Sequence, residues 1–214
     1  VSTNNLFRLL DYLDKDINFI GGAVAVPHKE KVAHWLKERG VEYISEEAAT
    51  IGAVNSLYRA KDGHIRGTNT DGEAALISLK QTRKDVEGLT VLLIGPGGAG
   101  KAVATYVKKA IKSGKLIISA RNPSKINFLS KKLKAQVLKW PVQSDILKKV
   151  DILINCTVLG SRIKTEIDGK LVTFEEFNPL SKGLRDETAI SELQNIKSDA
   201  VIFDNSSNPN TQTT

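Results

Sequence analysis

The sequence predicts an α/β protein, a doubly wound parallel sheet preceded by a smaller α/β region. Three observations predict it. From residue 89 onward, short apolar runs rich in β-branched residues alternate with charged segments of helical character, the pattern of repeated strand–helix–strand units. The first of these runs, Thr90 to Ile94, opens into Gly95-Pro96-Gly97-Gly98-Ala99-Gly100 and then into a helix-compatible stretch. Residues before about position 84 follow another pattern, in which a hairpin lies between helices.

The first region reads as a helix over about 3–14, a strand over 21–26, a helix from Pro27 to Arg39 and a short helix over 46–51. Pro27 suits a first helical position, where its missing N–H costs nothing. A hairpin follows, turning at Lys61-Asp62-Gly63, because Asp-Gly tolerates the positive φ angles of a tight turn. A helix from Gly72 to Lys80 ends the region. The polar stretch QTRKDVEG (81–88) marks the boundary, which divides the chain into residues 1–84 and 85–214. In the second region the strand candidates are 90–94, 115–120, 135–139, 151–155 and 200–204. The helix candidates are 99–112, 123–133, 143–148 and 186–195, and 160–183 reads as irregular loop.

Composition narrows the function. The chain has 214 residues, of which 41% are hydrophobic, and no apolar run approaches the roughly 20 residues that span a bilayer. Its first residues alternate apolar and charged types, unlike a signal peptide. The single cysteine, Cys156, excludes an internal disulfide and fits a reducing, cytoplasmic location. Within the run DILINC it reads as a small buried hydrophobe. Net charge is +7, but the 31 basic residues are scattered among 24 acidic ones. That distribution argues against nucleic acid and fits a field that draws in an anionic cofactor and a carboxylate substrate. No metal is expected. The chain opens on Val1 and contains no methionine, so it reads as truncated at both ends.

The strand–glycine–helix passage has a direct chemical reading. Glycines at 95, 97, 98 and 100, with Ala99, let backbone approach a pyrophosphate, and the helix N-terminus favours its charge, as in Rossmann-type folds. The second strand then ends at Arg121, with Asn122 and Lys125 following. An acidic residue there would suit the ribose hydroxyls of NAD. A guanidinium suits a 2′-phosphate instead, so the expected cofactor is NADP. Arg121 and Lys125 read alternatively as solvated charges flanking a helix start.

Three further elements, Val26-Pro27-His28-Lys29, Ile51-Gly52-Ala53-Val54-Asn55 and Asn69-Thr70-Asp71-Gly72, precede the glycine turn. In order and spacing the four motifs resemble the shikimate dehydrogenase family (shikimate/quinate dehydrogenases and their relatives), from about Gly21 to Pro209. The resemblance implies NADP-dependent interconversion of 3-dehydroshikimate and shikimate by a monomer or homodimer. It implies a partial substrate-binding domain at 1–84 and an NADP-binding Rossmann domain at 85–214. It makes Lys29 and Asp71 the proton-transfer pair, with Asn55 and Thr70 at the substrate and Thr157, in Asn155-Cys156-Thr157, near the nicotinamide.

The residues have plainer readings too. Asp71 suits a helix N-cap, Lys29 an ordinary surface position, and Asn55 a satisfier of hairpin backbone groups. A cation in a first helical turn is disfavoured by the helix dipole, while a neighbouring carboxylate favours it. The chain also departs from the family pattern. Ala23-Val24-Ala25 stands where Asn-Val-Thr is usual, Ser207 where a tyrosine is usual, and Ser161 where methionine is common. The serine-bearing first strand and the glutamine-bearing last helix have no counterpart. A quinate-preferring enzyme and a non-catalytic binding module are therefore the alternatives.

Overall fold

Among the described residues two main sheets, one antiparallel and one parallel, organise the chain, beside a separate two-stranded hairpin. The computed structural model describes residues 5–25, 27–160, 164–167, 170–173, 179–180 and 194–205. In the first region α1 (Leu6–Lys15), β1 (Gly21–Ala23), α2 (Lys29–Arg39) and α3 (Glu46–Ile51) precede the hairpin of β2 (Ser56–Arg59) and β3 (Ile65–Thr68). The sheet runs β1-β2-β3, antiparallel throughout. In β3 the buried positions alternate, Ile65 and Gly67 facing the core, as a half-covered strand requires. Leu6 and Leu10 of α1 and Val32, Ala33, Trp35 and Leu36 of α2 close that core. Gly67 belongs there because a side chain at this position would collide with Leu36 and Val54. Arg59 ties the region together by donating to the carbonyls of Leu13, Asp14, Asp16, Phe19 and Gly63, around the C-terminal end of α1.

α4 (Asp71–Thr82) leads into the second region, where β4 (Val91–Ile94), α5 (Gly98–Ile111), β5 (Leu116–Ala120), α6 (Asn127–Leu133), β6 (Gln136–Lys139), α7 (Ser144–Leu147) and β7 (Ile152–Asn155) follow. The second sheet has the order β10-β7-β4-β5-β6, with β10 at Val201–Asp204, and every pair is parallel. All residues of β4, β5 and β7 are buried. Their mainly apolar character, broken only by Ser119 and Asn155, is what a strand covered on both faces needs. Val91 and Leu93 face one core, with α4, α5 and α6, while Leu92 and Ile94 face the other, with Ile117, Leu147 and Leu153. Chain order reverses on either side of β4, so the crevice at the C-terminal ends of β4 and β7 is the topological switch point.

The expected fold class stands, with local corrections. The helix placed at Pro27 begins at Lys29, because the His28 N–H bonds the Ala25 carbonyl and completes a turn first. Val41–Tyr43 and Pro123–Ile126 are 3-10 turns. Where a loop was expected over 160–183, β8 (Lys164–Ile167) pairs antiparallel with β9 (Lys170–Thr173). The intervening Asp168-Gly169 is the same signal that marked the first hairpin. Of the predicted helix over 186–195, Gln194 and Asn195 form a turn. Its residues 186–193, together with Val26, Ser161 and Ser207, lie outside the described residues. Among the described residues no helix is long and apolar enough to cross a membrane.

Candidate active site

The ends of three elements in the first region bring Lys29, Asn55 and Asp71 together. Lys29 opens α2 and Asp71 opens α4, 42 positions apart, and Lys29 Nζ lies 2.6 Å from Asp71 Oδ2. Their side chains are only 17% and 25% exposed, so the pair is sheltered yet reachable from solvent. Asn55, just before β2, donates from Nδ2 to Asp71 Oδ1 at 2.7 Å and to Thr70 Oγ1 at 3.1 Å. Its Oδ1 accepts from the Thr70 N–H and the Ser56 hydroxyl, both at 3.0 Å. The amide thus has both donors and both lone pairs engaged. Asp71 does not cap its own helix. Thr70 is the N-cap residue, and the Asp71 carboxylate turns toward the amine and the amide.

The glycine turn lies at the switch point. Gly95 has φ of +89° and packs so closely on Thr157 that a side chain there would meet its methyl group. A side chain at Gly100 would meet the Gly95 carbonyl, so this glycine lets α5 approach the end of β4. Gly97 and Gly98 have a different reason to be glycine, since a Cβ at either would meet nothing within 4 Å. They line open space at the N-terminus of α5, with Ala99 in the first turn. Thr157 is oriented by Asn155, buried at 4% exposure, whose Oδ1 accepts from the Thr157 hydroxyl at 2.7 Å and its N–H at 3.0 Å. Arg121 and Asn122 are exposed just past β5, and Asn122 Oδ1 accepts from the Ser124 hydroxyl. The Lys125 side chain lies outside the described part of the structure. Cys156 is half-buried, and burial pushes its thiol up to about 12, which removes it as a nucleophile.

α4 connects the two clusters. Its Gly72 packs against the Ala102 carbonyl and Tyr106 of α5 with no room for a side chain, while Ala75 and Leu79 enter the parallel-sheet core. Glu30, next to Lys29, pairs at 2.8 Å with Lys101 in the first turns of α5. Lys109 with Glu47 and Lys132 with Thr50 add further bridges from the second region to α3.

Comparison with known proteins points to a family. The family model described as Shikimate / quinate 5-dehydrogenase matches residues 78–170. The shikimate dehydrogenase (NADP(+)) of Synechocystis is 35% identical over 148 residues, 65% of this chain and 48% of its own length. The crystal structure of shikimate dehydrogenase from Aquifex aeolicus superposes with a TM-score of 0.69 at 26% identity, covering 95% of this chain and 64% of that one. The Thermus thermophilus shikimate 5-dehydrogenase in complex with NADP(H) and shikimate superposes at 0.61 and 27% identity, covering 75% and 56%. The chain belongs to the shikimate dehydrogenase family. It spans about half the length of the curated relatives it matches.

The matched span of this shikimate dehydrogenase family member holds the glycine turn, Arg121 and Thr157, and stops short of Lys29, Asn55, Thr70 and Asp71. For those four, local geometry is the independent argument. Sequence reasoning passed over Asn69 and Asn155, both buried amides that orient the residues beside them. A polar side chain in an otherwise apolar strand end, as at Asn155, was the available signal.

Proposed function

We propose that this chain supplies the catalytic pair and cofactor site of an NADP-dependent dehydrogenase that interconverts 3-dehydroshikimate and shikimate, in the biosynthesis of aromatic amino acids by way of chorismate. The observation that carries the reading is the 2.6 Å contact between Lys29 and Asp71. It belongs to a helix whose next residue is clamped onto α5 behind the glycine turn. In this reading residues 1–84 hold the substrate and 85–214 the cofactor, and the enzyme works in the cytoplasm as a monomer or homodimer.

The residues present fit the cofactor. Gly97 and Gly98 leave room for a pyrophosphate at a helix N-terminus, with Gly95, Ala99 and Gly100 shaping the turn. Arg121 is exposed with no ion-pair partner among the described residues, and with Asn122 and Lys125 it would hold the 2′-phosphate. Thr157, fixed by Asn155, would border the nicotinamide. When bound, the dinucleotide supplies or accepts a hydride. Lys29 handles the proton: as an ammonium it donates to the oxygen of a carbonyl being reduced, and as an amine it takes the proton of an alcohol being oxidised. Asp71 aims the nitrogen and offsets its charge. Thr70 and Asn55 hydrogen-bond each other, so each would contact substrate by exchanging one of these internal bonds.

A quinate-preferring enzyme is the second reading, favoured by Ala23 and Ala25, exposed and apolar at the end of β1. Following NADP reduction by absorbance with shikimate and with quinate tests both. Turnover with shikimate supports the first reading and preference for quinate supports the second. Tight binding of NADP without turnover of either would leave only a binding module.

A further inference from the structure

We propose that Asn69 is a positioning residue that fixes the Lys29–Asp71 pair from behind. Asn69 is 1% exposed, in a loop just before α4. Its Oδ1 accepts from the Asp71 N–H at 3.1 Å, an Asx-turn that sets the first residue of the helix. Its Nδ2 donates to the Ala53 carbonyl at 3.0 Å, in the loop that carries Asn55. One buried amide therefore holds both polypeptide segments whose side chains meet at the Asp71 carboxylate. The backbone repeats the link, since Asn55 N–H bonds the Thr68 carbonyl at 3.1 Å, and Val54 N–H bonds the Lys29 carbonyl at 3.0 Å.

The geometry makes Asn69 directional in a way that packing alone does not. An apolar residue of similar size would fill the space and leave two backbone groups, the part-buried Asp71 N–H and the buried Ala53 carbonyl, without these partners. Asp71 could then rotate away from Lys29 while the core around Ile65 and Leu36 stays intact. The role rests on the proposed function, in which that pair moves the proton.

The test compares Asn69→Ala and Asn69→Ser in the full-length protein. Serine keeps an i to i+2 bond to the Asp71 N–H, though a weaker one, and loses the bond to Ala53. With shikimate and NADP, Asn69→Ala should lower kcat on the order of 10- to 100-fold and leave KM for NADP within about two-fold, as expected for a misplaced catalytic group. Asn69→Ser should recover part of the loss. In an Asp71→Asn background, Asn69→Ala should cost less than about a further two-fold, because the two residues act through one interaction. Fully additive losses, or an unchanged kcat in Asn69→Ala, would overturn the proposal. Amide hydrogen exchange supplies an arm independent of activity. The Asp71 N–H should exchange at least about 10-fold faster in Asn69→Ala while those of Leu92 to Ile94 do not change. If the unaltered protein shows no turnover, the functional reading fails, and an unaltered Asp71 exchange rate overturns the positioning role by itself. If Asn69→Ala does not fold, the Asn69→Ser comparison decides.

Discussion

The antiparallel and parallel sheets place function at their edges by opposite means. Around β2 and β3 the working groups are side chains, an amine, a carboxylate and two amides, each aimed by a hydrogen bond to a neighbour. At the C-terminal edge of the parallel sheet the working groups are mostly missing side chains, glycines that leave space and free backbone at the start of α5. In the proposed reading, the difference follows from what each region would bind. Moving a proton needs a titratable atom at a set position, whereas holding a diphosphate needs N–H groups and a clear approach. Substitutions in the first region should therefore change turnover, and those in the second should change cofactor affinity.

The largest expected effect is at Lys29. Lys29→Ala should reduce kcat by roughly 10²- to 10⁴-fold, the range for losing a general acid–base group, with the NADP dissociation constant within about two-fold of the parent. A comparable loss of NADP affinity, measured by fluorescence titration, would erase the division of labour. Arg121→Ala should do the reverse. It should weaken NADP by about 1.5–3 kcal/mol, the scale of a charged hydrogen bond, and leave NAD binding and kcat nearly unchanged. The two glycine classes sharpen the contrast within one turn. Gly100→Ala forces a methyl onto the Gly95 carbonyl and should destabilise the fold by about 1–3 kcal/mol in urea titrations. Gly98→Ala meets no atom, so stability should stay within about 0.5 kcal/mol while cofactor affinity falls.

The smallest effect lies away from both sites. Burial raises the Asp151 carboxyl, but hydrogen bonds from Lys197 at 2.6 Å and the Thr90 N–H at 2.7 Å outweigh it and hold the group below its ordinary 3.8. A carboxyl lowered in the folded state contributes its full stability above 3.8 and loses it as pH falls through the folded value. Asp151→Asn should thus cost about 1 kcal/mol at neutral pH, and the gap to the parent should close in acid below 3.8, read from denaturation midpoints across pH.

Legibility in the sequence divided along the same line as the chemistry. The buried strands of the parallel sheet announce themselves as apolar runs, and the glycine turn is visible because its residues are adjacent. Lys29 and Asp71, 42 positions apart, carry no local sign of their pairing, and only the order of the surrounding motifs suggested it. Asp71 looked like a helix cap because spacing alone does not say that its carboxylate has better partners in Lys29 and Asn55. Asn69 was invisible for a related reason: its two bonds go to backbone atoms, one of them 16 positions away. The hairpin of β8 and β9 was there to be read, since Asp168-Gly169 separates two stretches that both form strands, and the mixed charge of the segment concealed it.

α4 behaves as a lever with its fulcrum at Gly72. Its first residue answers to the amine and amide of one half, and its buried face, through Ala75 and Leu79, packs into the other. Thickening that fulcrum by one methyl would tilt the whole rod. Damage at this glycine, one residue past Asp71, should consequently register as poor chemistry and poor nucleotide capture together.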